Sequence, residues 1–215
     1  MGAIAGYEKI GGRGLGCFCL VQFMPLESSS SNPDLSPFLQ RYPAFDSWQE
    51  EWDGVPLEFR VCLSEELPQP AFVGSVRAIV IRGNQVLLFH SNLPILSVGG
   101  RCEPEESIQQ TLLREVAEET GWTVTPLVVI GFIHARHLDS QRPAWNRPAP
   151  DFIDPLWLVS ADFYDAAMLE TNALASEFVA IDELEALGVD TINRTFLREG
   201  LRKIEASNMS HPELL

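Results

Sequence analysis

Residues 100–122 read GRCEPEESIQQTLLREVAEETGW. Ser107 followed by Gln110 has the form of a capping box, and Gly121 suits a left-handed helix stop, so the spacing predicts a helix of about four turns between them. Within it Glu115, Glu118 and Glu119 stand at i, i+3 and i+4, which brings three carboxylates onto an arc roughly 100° wide. Leu112, Leu113, Val116 and Ala117 occupy the neighbouring arc and are expected to pack on a sheet, with the acids at its edge. Like charges at this spacing oppose helix formation by about 0.2–0.5 kcal/mol per pair. A divalent cation would compensate, because hard ions such as Mg²⁺ choose oxygen ligands and keep waters that phosphate oxygens can replace. For the three acids alone, a solvated acidic face is the other reading.

Working outward, Val76 to Arg82 alternates and is rich in β-branched residues, Gly83-Asn84 is a turn signal, and Val86 to His90 returns, which predicts a hairpin starting at Ser75. A loop through Pro94 leads to Gly99-Gly100. Beyond the helix come a strand-like run from Thr123 to Arg136, a Pro-rich loop from Asp139 to Pro155, and a strand-like run from Leu156 to Asp162. Helical segments follow near Asp182 to Leu187 and Thr191 to Ala206. Strands then a helix, repeated once, predict a mixed α/β sandwich. The first 70 residues differ in character. Gly11, Gly12, Gly14 and Gly16 fit neither a dinucleotide fingerprint nor a P-loop and lead into a β-like run, Cys17 to Met24. A linker-like stretch from Glu27 to Pro37, an acidic segment around Trp48 and Trp52, and a further strand over 55–63 complete this part. A boundary near residue 70 separates an N-terminal extension, 1–70, from a second region, 71–215.

Thirty acidic against fifteen basic residues give a formal charge of −15, which repels nucleic-acid backbones and anionic lipid surfaces. An acidic enzyme acting on a polyphosphate needs cations between its carboxylates and the phosphates. No apolar run approaches the roughly 18 residues that span a bilayer, and Met1 to Ile10 lacks the features of a secretory signal, so a cytoplasmic protein without membrane or nucleic-acid partners is expected. The cysteines, at 17, 19, 62 and 102, form neither a disulfide framework nor a CxxC pair, and Cys17 and Cys19 are expected to share one strand face as packing residues.

The stretch Gly100 to Glu106 followed by Arg114-Glu-Val-Ala-Glu-Glu-Thr-Gly-Trp122 resembles the Nudix box, G-x5-E-x7-R-E-U-x-E-E-x-G-U, where U is bulky and apolar. Every fixed letter matches, an event on the order of one in a million by chance at ordinary residue usage. The resemblance implies a Nudix-type α/β/α sandwich with a mixed sheet over about residues 71–215, plus the extension. It implies that Glu115, Glu118 and Glu119 are metal ligands, with the carbonyl of Gly99 as a further one, and that Mg²⁺, or Mn²⁺ in its place, is the cofactor. Glu106 and Arg114 take structural parts in the catalytic set, their opposite charges pairing across the loop. One departure is visible: Val98 stands where many family members carry proline. The family does not place its general base consistently; Glu115 is the first choice, with Glu170 and Glu177 as alternatives.

By this resemblance the chain is a Mg²⁺-dependent hydrolase of a phosphoanhydride bond. Its substrate is nucleotide-like, a nucleoside diphosphate linked to another group or a nucleoside triphosphate. A non-catalytic Nudix-fold sensing module and a diphosphate-ester isomerase are the competing classes, the intact acidic set favouring hydrolysis. The long loop after Arg136 is expected to select the substrate, through stacking on Trp145 and phosphate contacts from Arg136, Arg142 and Arg147. His134 and His137, three apart on a strand, point to opposite faces and are not expected to share a metal. Residues 1–70 are expected to support a homodimer or cover the site.

Overall fold

The computed structural model describes residues 34–139 and 147–210. The run Cys17 to Met24 with both of its cysteines, and the loop residues Arg142 and Trp145, lie outside the described residues. In chain order the elements are α1 (Ser36–Arg41), β1 (Ala44–Trp52), β2 (Val55–Leu63), β3 (Arg77–Arg82), β4 (Gln85–Phe89), β5 (Ser97–Val98), α2 (Ile108–Thr120), β6 (Trp122–His137), β7 (Asp151–Tyr164), β8 (Ser176–Ala180) and α3 (Thr191–Ser210). The strands among the described residues form one sheet in the order β1-β2-β6-β7-β3-β4-β8, with β5 paired to β3. Its ladders are antiparallel except where β3 runs parallel to β7.

Alternation along the central strands sends side chains to two separate hydrophobic layers. Ile79, Ile81, Val86, Leu88, Leu156 and Leu158 meet Ile192, Phe196 and Leu197 of α3 on one face. Their neighbours Ala78, Val80, Leu87, Phe89, Trp157 and Val159 meet Leu112 and Val116 of α2 on the other. A mixed sheet with a helix layer on each face is the α/β/α sandwich expected from the sequence. Among the described residues no helix is long and apolar enough to cross a membrane.

The hairpin turn falls at Gly83, whose φ of 62° suits glycine. Ser107 accepts from the Gln110 backbone N–H and Gln110 answers on the Ser107 N–H, so α2 starts where the capping box places it. It ends at Gly121, φ 72°. Three differences from expectation are physical. Leu113 is 38% exposed, because the buried stripe of α2 runs through Leu112, Val116 and Thr120, four residues apart. β7 begins at Asp151 rather than Leu156, since the register of Asp151 to Pro155 against Arg136 to Phe132 extends the ladder through a stretch whose acids and proline hide it in the sequence. The loop it follows is shortened accordingly. Where a helix is expected near Asp182 to Leu187, the chain forms a short 3-10 turn, Ile181–Glu183, instead.

β1 and β2 belong to the same sheet as the rest, and Leu57, Phe59 and Val61 are buried in the α3 layer. Where the β6 ladder shifts register between Val129 and Gly131, the buried Lys203 of α3 donates from Nζ to the carbonyls of Ser64 (2.7 Å), Val129 (3.0 Å) and Ile130 (3.3 Å). Burial lowers the Lys203 pKa.

Candidate active site

The acidic face of α2 is organised by Arg114. Its guanidinium grips Glu106 with two bonds, Nε to Oε1 at 2.7 Å and Nη2 to Oε2 at 2.9 Å, the fork geometry that makes such pairs strong. The same group donates to the Arg101 carbonyl at 3.1 Å, tying helix to loop. Its Nη1 reaches Glu115 at 2.8 Å and Glu118 at 2.9 Å. The hydrogen bond from Arg114 is the main reason the Glu106 carboxyl is held down to about 2, while Glu106 foremost holds the Arg114 proton more firmly. The pairing expected across the loop is present.

Glu115 is seated rather than solvated. Its side chain is 13% exposed, and its carboxylate lies so close to Gly100 that a Cβ there would sit 2.1 Å from Oε2. Glycine at 100 is thus required by the neighbour, not by its own φ. At Gly99 both conditions apply, with φ 148° and an added Cβ only 1.9 Å from the Val76 carbonyl. Val98, in place of a proline, is buried in the α2 layer and pairs with Ala78, so the ladder holds the turn from that side. The Gly100 carbonyl accepts from the Val76 N–H at 2.8 Å.

Burial raises the Glu115 pKa, opposed by Arg114 and reinforced by the charges of Glu118 and Glu170. Burial likewise pushes Glu119 up to about 6, with Glu115, Glu170 and Glu118 adding repulsion. Glu170 therefore belongs electrostatically to the acidic set, and its backbone N–H is fixed to the Glu118 carbonyl at 2.8 Å. Glu177, the other base candidate, sits on β8 with its carboxylate 3.0 Å from His90 Nε2. Among the described residues no three His, Cys, Asp or Glu groups are drawn together tightly enough to hold an ion as they stand. Arg114 accounts for part of this, since its Nη1 engages two of the carboxylates. In kind, however, the set fits a hard divalent cation: oxygen donors only, excess negative charge, and a glycine cradle that seats Glu115.

The arginines proposed for substrate lie on different faces of the sheet. Arg136 is 55% exposed and stands 3.6 Å from Asp151, on the face that α2 covers further along. Arg147 stands on the α3 face, 15% exposed, its guanidinium 4.7 Å from the Phe152 ring centre and 5.6 Å from that of Trp52. It is 3.4 Å from the carboxylate of the buried Asp154. His134 bonds through Nε2 to Asp151 at 2.9 Å, and His137 packs on Phe152, so the two histidines do occupy opposite faces. Asp154 was not legible as a site residue, because Ser75, whose backbone N–H fixes it, lies 79 residues away. An open cavity of about 430 Å³ beside the end of α2, lined by Trp122, Tyr164, Leu169 and Phe178 among others, was equally hidden.

Among solved structures the chain is similar to a NUDIX hydrolase from Nitrosomonas europaea, at 20% identity over 61% of this chain and 89% of that one, TM-score 0.45. It is also similar to a NUDIX-family hydrolase from Clostridium perfringens, at 17% identity over 62% and 97%, TM-score 0.41. A third is a UDP-X diphosphatase, at 17% over 64% and 66%, TM-score 0.40. No curated protein matches the sequence. The decisive match is to the family itself: the model of the NUDIX domain aligns with residues 72–200, well over half of the chain and including the whole acidic helix. With its box intact and its helix and glycine turn assembled around Glu115, this chain belongs to the Nudix family.

Proposed function

We propose that this Nudix protein is a divalent-cation-dependent hydrolase, using Mg²⁺ with Mn²⁺ as a substitute, that cleaves a phosphoanhydride bond in a nucleotide-like small molecule. The substrate range is a nucleoside diphosphate linked to a second group, or a nucleoside triphosphate. The seat of Glu115 carries the reading: a largely buried carboxylate against Gly100, surrounded by the charges of Glu118 and Glu170 and held by Arg114. Glu115, Glu118 and Glu119, with the Gly99 carbonyl, are the residues we assign to the metal.

When bound, such an ion neutralises phosphate charge and makes water a competent nucleophile near neutral pH. The protein's own contribution is positional. Arg114 and Glu106 lock the helix to the loop, so that the carboxylates keep one geometry through the reaction. Glu115 takes the proton of the attacking water; Glu170 is the alternative base, its charge acting on the same carboxylates. Glu177 is the weakest candidate, because its charge is not among those that act on Glu115 and Glu119. Arg136, exposed on the α2 face, is assigned to substrate, together with Trp145 and Arg142 of the loop. We place the enzyme in the cytoplasm, with residues 1–70 contributing to a homodimer or to cover rather than to chemistry.

Incubation of the full chain with Mg²⁺ and a panel of nucleoside triphosphates, nucleotide sugars and dinucleotides is expected to release monophosphate, phosphate or pyrophosphate. A sensing module releases none of these, and an isomerase changes its substrate without hydrolysing it. Absence of release from every compound, with Mg²⁺ and with Mn²⁺, overturns the proposal.

A further inference from the structure

Asp154 is a buried carboxylate that the reaction does not use. Its side chain is 2% exposed, and a carboxylate so enclosed requires hydrogen bonds and an opposite charge. Both are present. The Ser75 backbone N–H donates to Oδ1 at 2.9 Å, and Arg147 Nη1 lies 3.4 and 3.5 Å from the two oxygens. Gly74 leaves the room: an added Cβ would come 2.8 Å from Phe152, 3.1 Å from Asp154 Oδ1 and 3.3 Å from Arg147 Nη1.

Ser75 also forms a bridge with Arg101, and the next residue, Val76, donates its N–H to Gly100. Gly100 is the residue against which Glu115 rests. A continuous set of contacts therefore runs from Arg147, at the end of the loop that follows β6, through Asp154, Ser75 and Val76, to the seat of Glu115. Each contact is a backbone hydrogen bond, a bridge or a buried side chain, the kind of contiguous packing through which two sites can be coupled.

We infer that Asp154 is a positioning residue which, paired with Arg147, ties the root of this loop to the Gly99-Gly100 turn that seats Glu115. The inference rests on the proposed metal role of Glu115. It gives Arg147 a task on the α3 face, distinct from gripping substrate, and it couples the Arg147–Asp154 pair to the geometry of the acidic site.

The test uses the full chain with Arg147→Met, which keeps an apolar stem over Phe152 and removes the charge. Asp154→Asn serves as a second variant; it keeps the volume and an oxygen for the Ser75 N–H. Two readouts are taken: amide exchange at Ser75 and Val76, measured against the α3 amide of Phe196, and Mn²⁺ affinity by electron paramagnetic resonance without substrate. Either variant is expected to speed exchange at Ser75 and Val76 at least tenfold relative to Phe196 and to weaken Mn²⁺ binding several-fold. Arg147→Lys, which restores the charge, should fall between variant and wild type. The double variant should be no worse than the worse single one, as for two members of a single pair. A lowered Tm with unchanged relative exchange and unchanged Mn²⁺ affinity overturns the coupling, since that is what loss of packing alone produces. A wild-type chain that binds no Mn²⁺ instead sinks the metal reading of Glu115, and the exchange data then judge the Arg147–Asp154 tie by itself.

Discussion

Arg114 donates to Glu106, Glu115, Glu118 and the Arg101 carbonyl at once, so the acidic helix contains its own counter-charge. The carboxylates differ in what they would lose on mutation. Glu118→Gln or Glu119→Gln keeps shape and removes charge, and each is expected to weaken Mg²⁺ binding and to lower kcat by several orders of magnitude. Steady-state turnover at limiting Mg²⁺ checks this, and wild-type rates in either variant would reject the ligand assignment. Glu106 behaves differently, because its pKa is held at about 2 against an ordinary 4.5. A folded-state pKa below the unfolded value gives stability that is complete above about 4.5 and is lost as pH falls toward 2. The wild-type Tm should therefore drop through that window. Glu106→Gln should be less stable at neutral pH and should show a flatter dependence between pH 5 and 2, roughly the span over which the linkage acts; an unchanged slope would dismiss the pair as a stability element.

At the scale of elements, α3 does more than cover the sheet. Lys203 puts its amine where β6 changes register and satisfies the carbonyls of Ser64, Val129 and Ile130. Lys203→Met keeps the stem and deletes the donor, leaving buried carbonyls without that partner. The expected cost is about 1–3 kcal/mol. Urea unfolding of the variant measures it, and a midpoint equal to wild type would mean that the ladder satisfies these carbonyls without the amine. The loop after β6 begins at Leu138 and meets β7 at Asp151, and its root is fixed by Arg147 on Asp154.

For the whole molecule, the division at residue 70 that we propose is one of chemistry, since the acidic helix and its loop lie beyond it. β1 and β2 nevertheless complete the sheet, and Leu57, Phe59 and Val61 are fully enclosed beneath α3. Removal of residues 1–70 is therefore expected to cost more than about 5 kcal/mol, comparable to the whole margin of a small domain. Thermal melting followed by circular dichroism checks this; a 71–215 fragment melting at the wild-type temperature would show the two strands to be dispensable. If the extension builds a dimer, the fragment should also sediment as a monomer, at about one third of the wild-type dimer mass.

The sequence by itself determined the limits of α2 and the common face of its carboxylates. Capping at Ser107, termination at Gly121 and the i, i+3, i+4 spacing are decided by hydrogen bonds and side-chain directions within one helix. The hairpin at Gly83 was legible for the same reason: its turn and both strands lie within a few residues. The family followed from the box. Only the tertiary structure decided where β7 begins, that Leu113 faces out, that Glu170 joins the acidic set, and that Arg147 belongs to Asp154. Asp154 meets Ser75 across 79 residues, and β3 lies parallel to β7 only once the chain between them has folded. No local pattern encodes such a pairing, because its free energy comes from burial and ladder hydrogen bonds that exist only when the whole sheet is assembled.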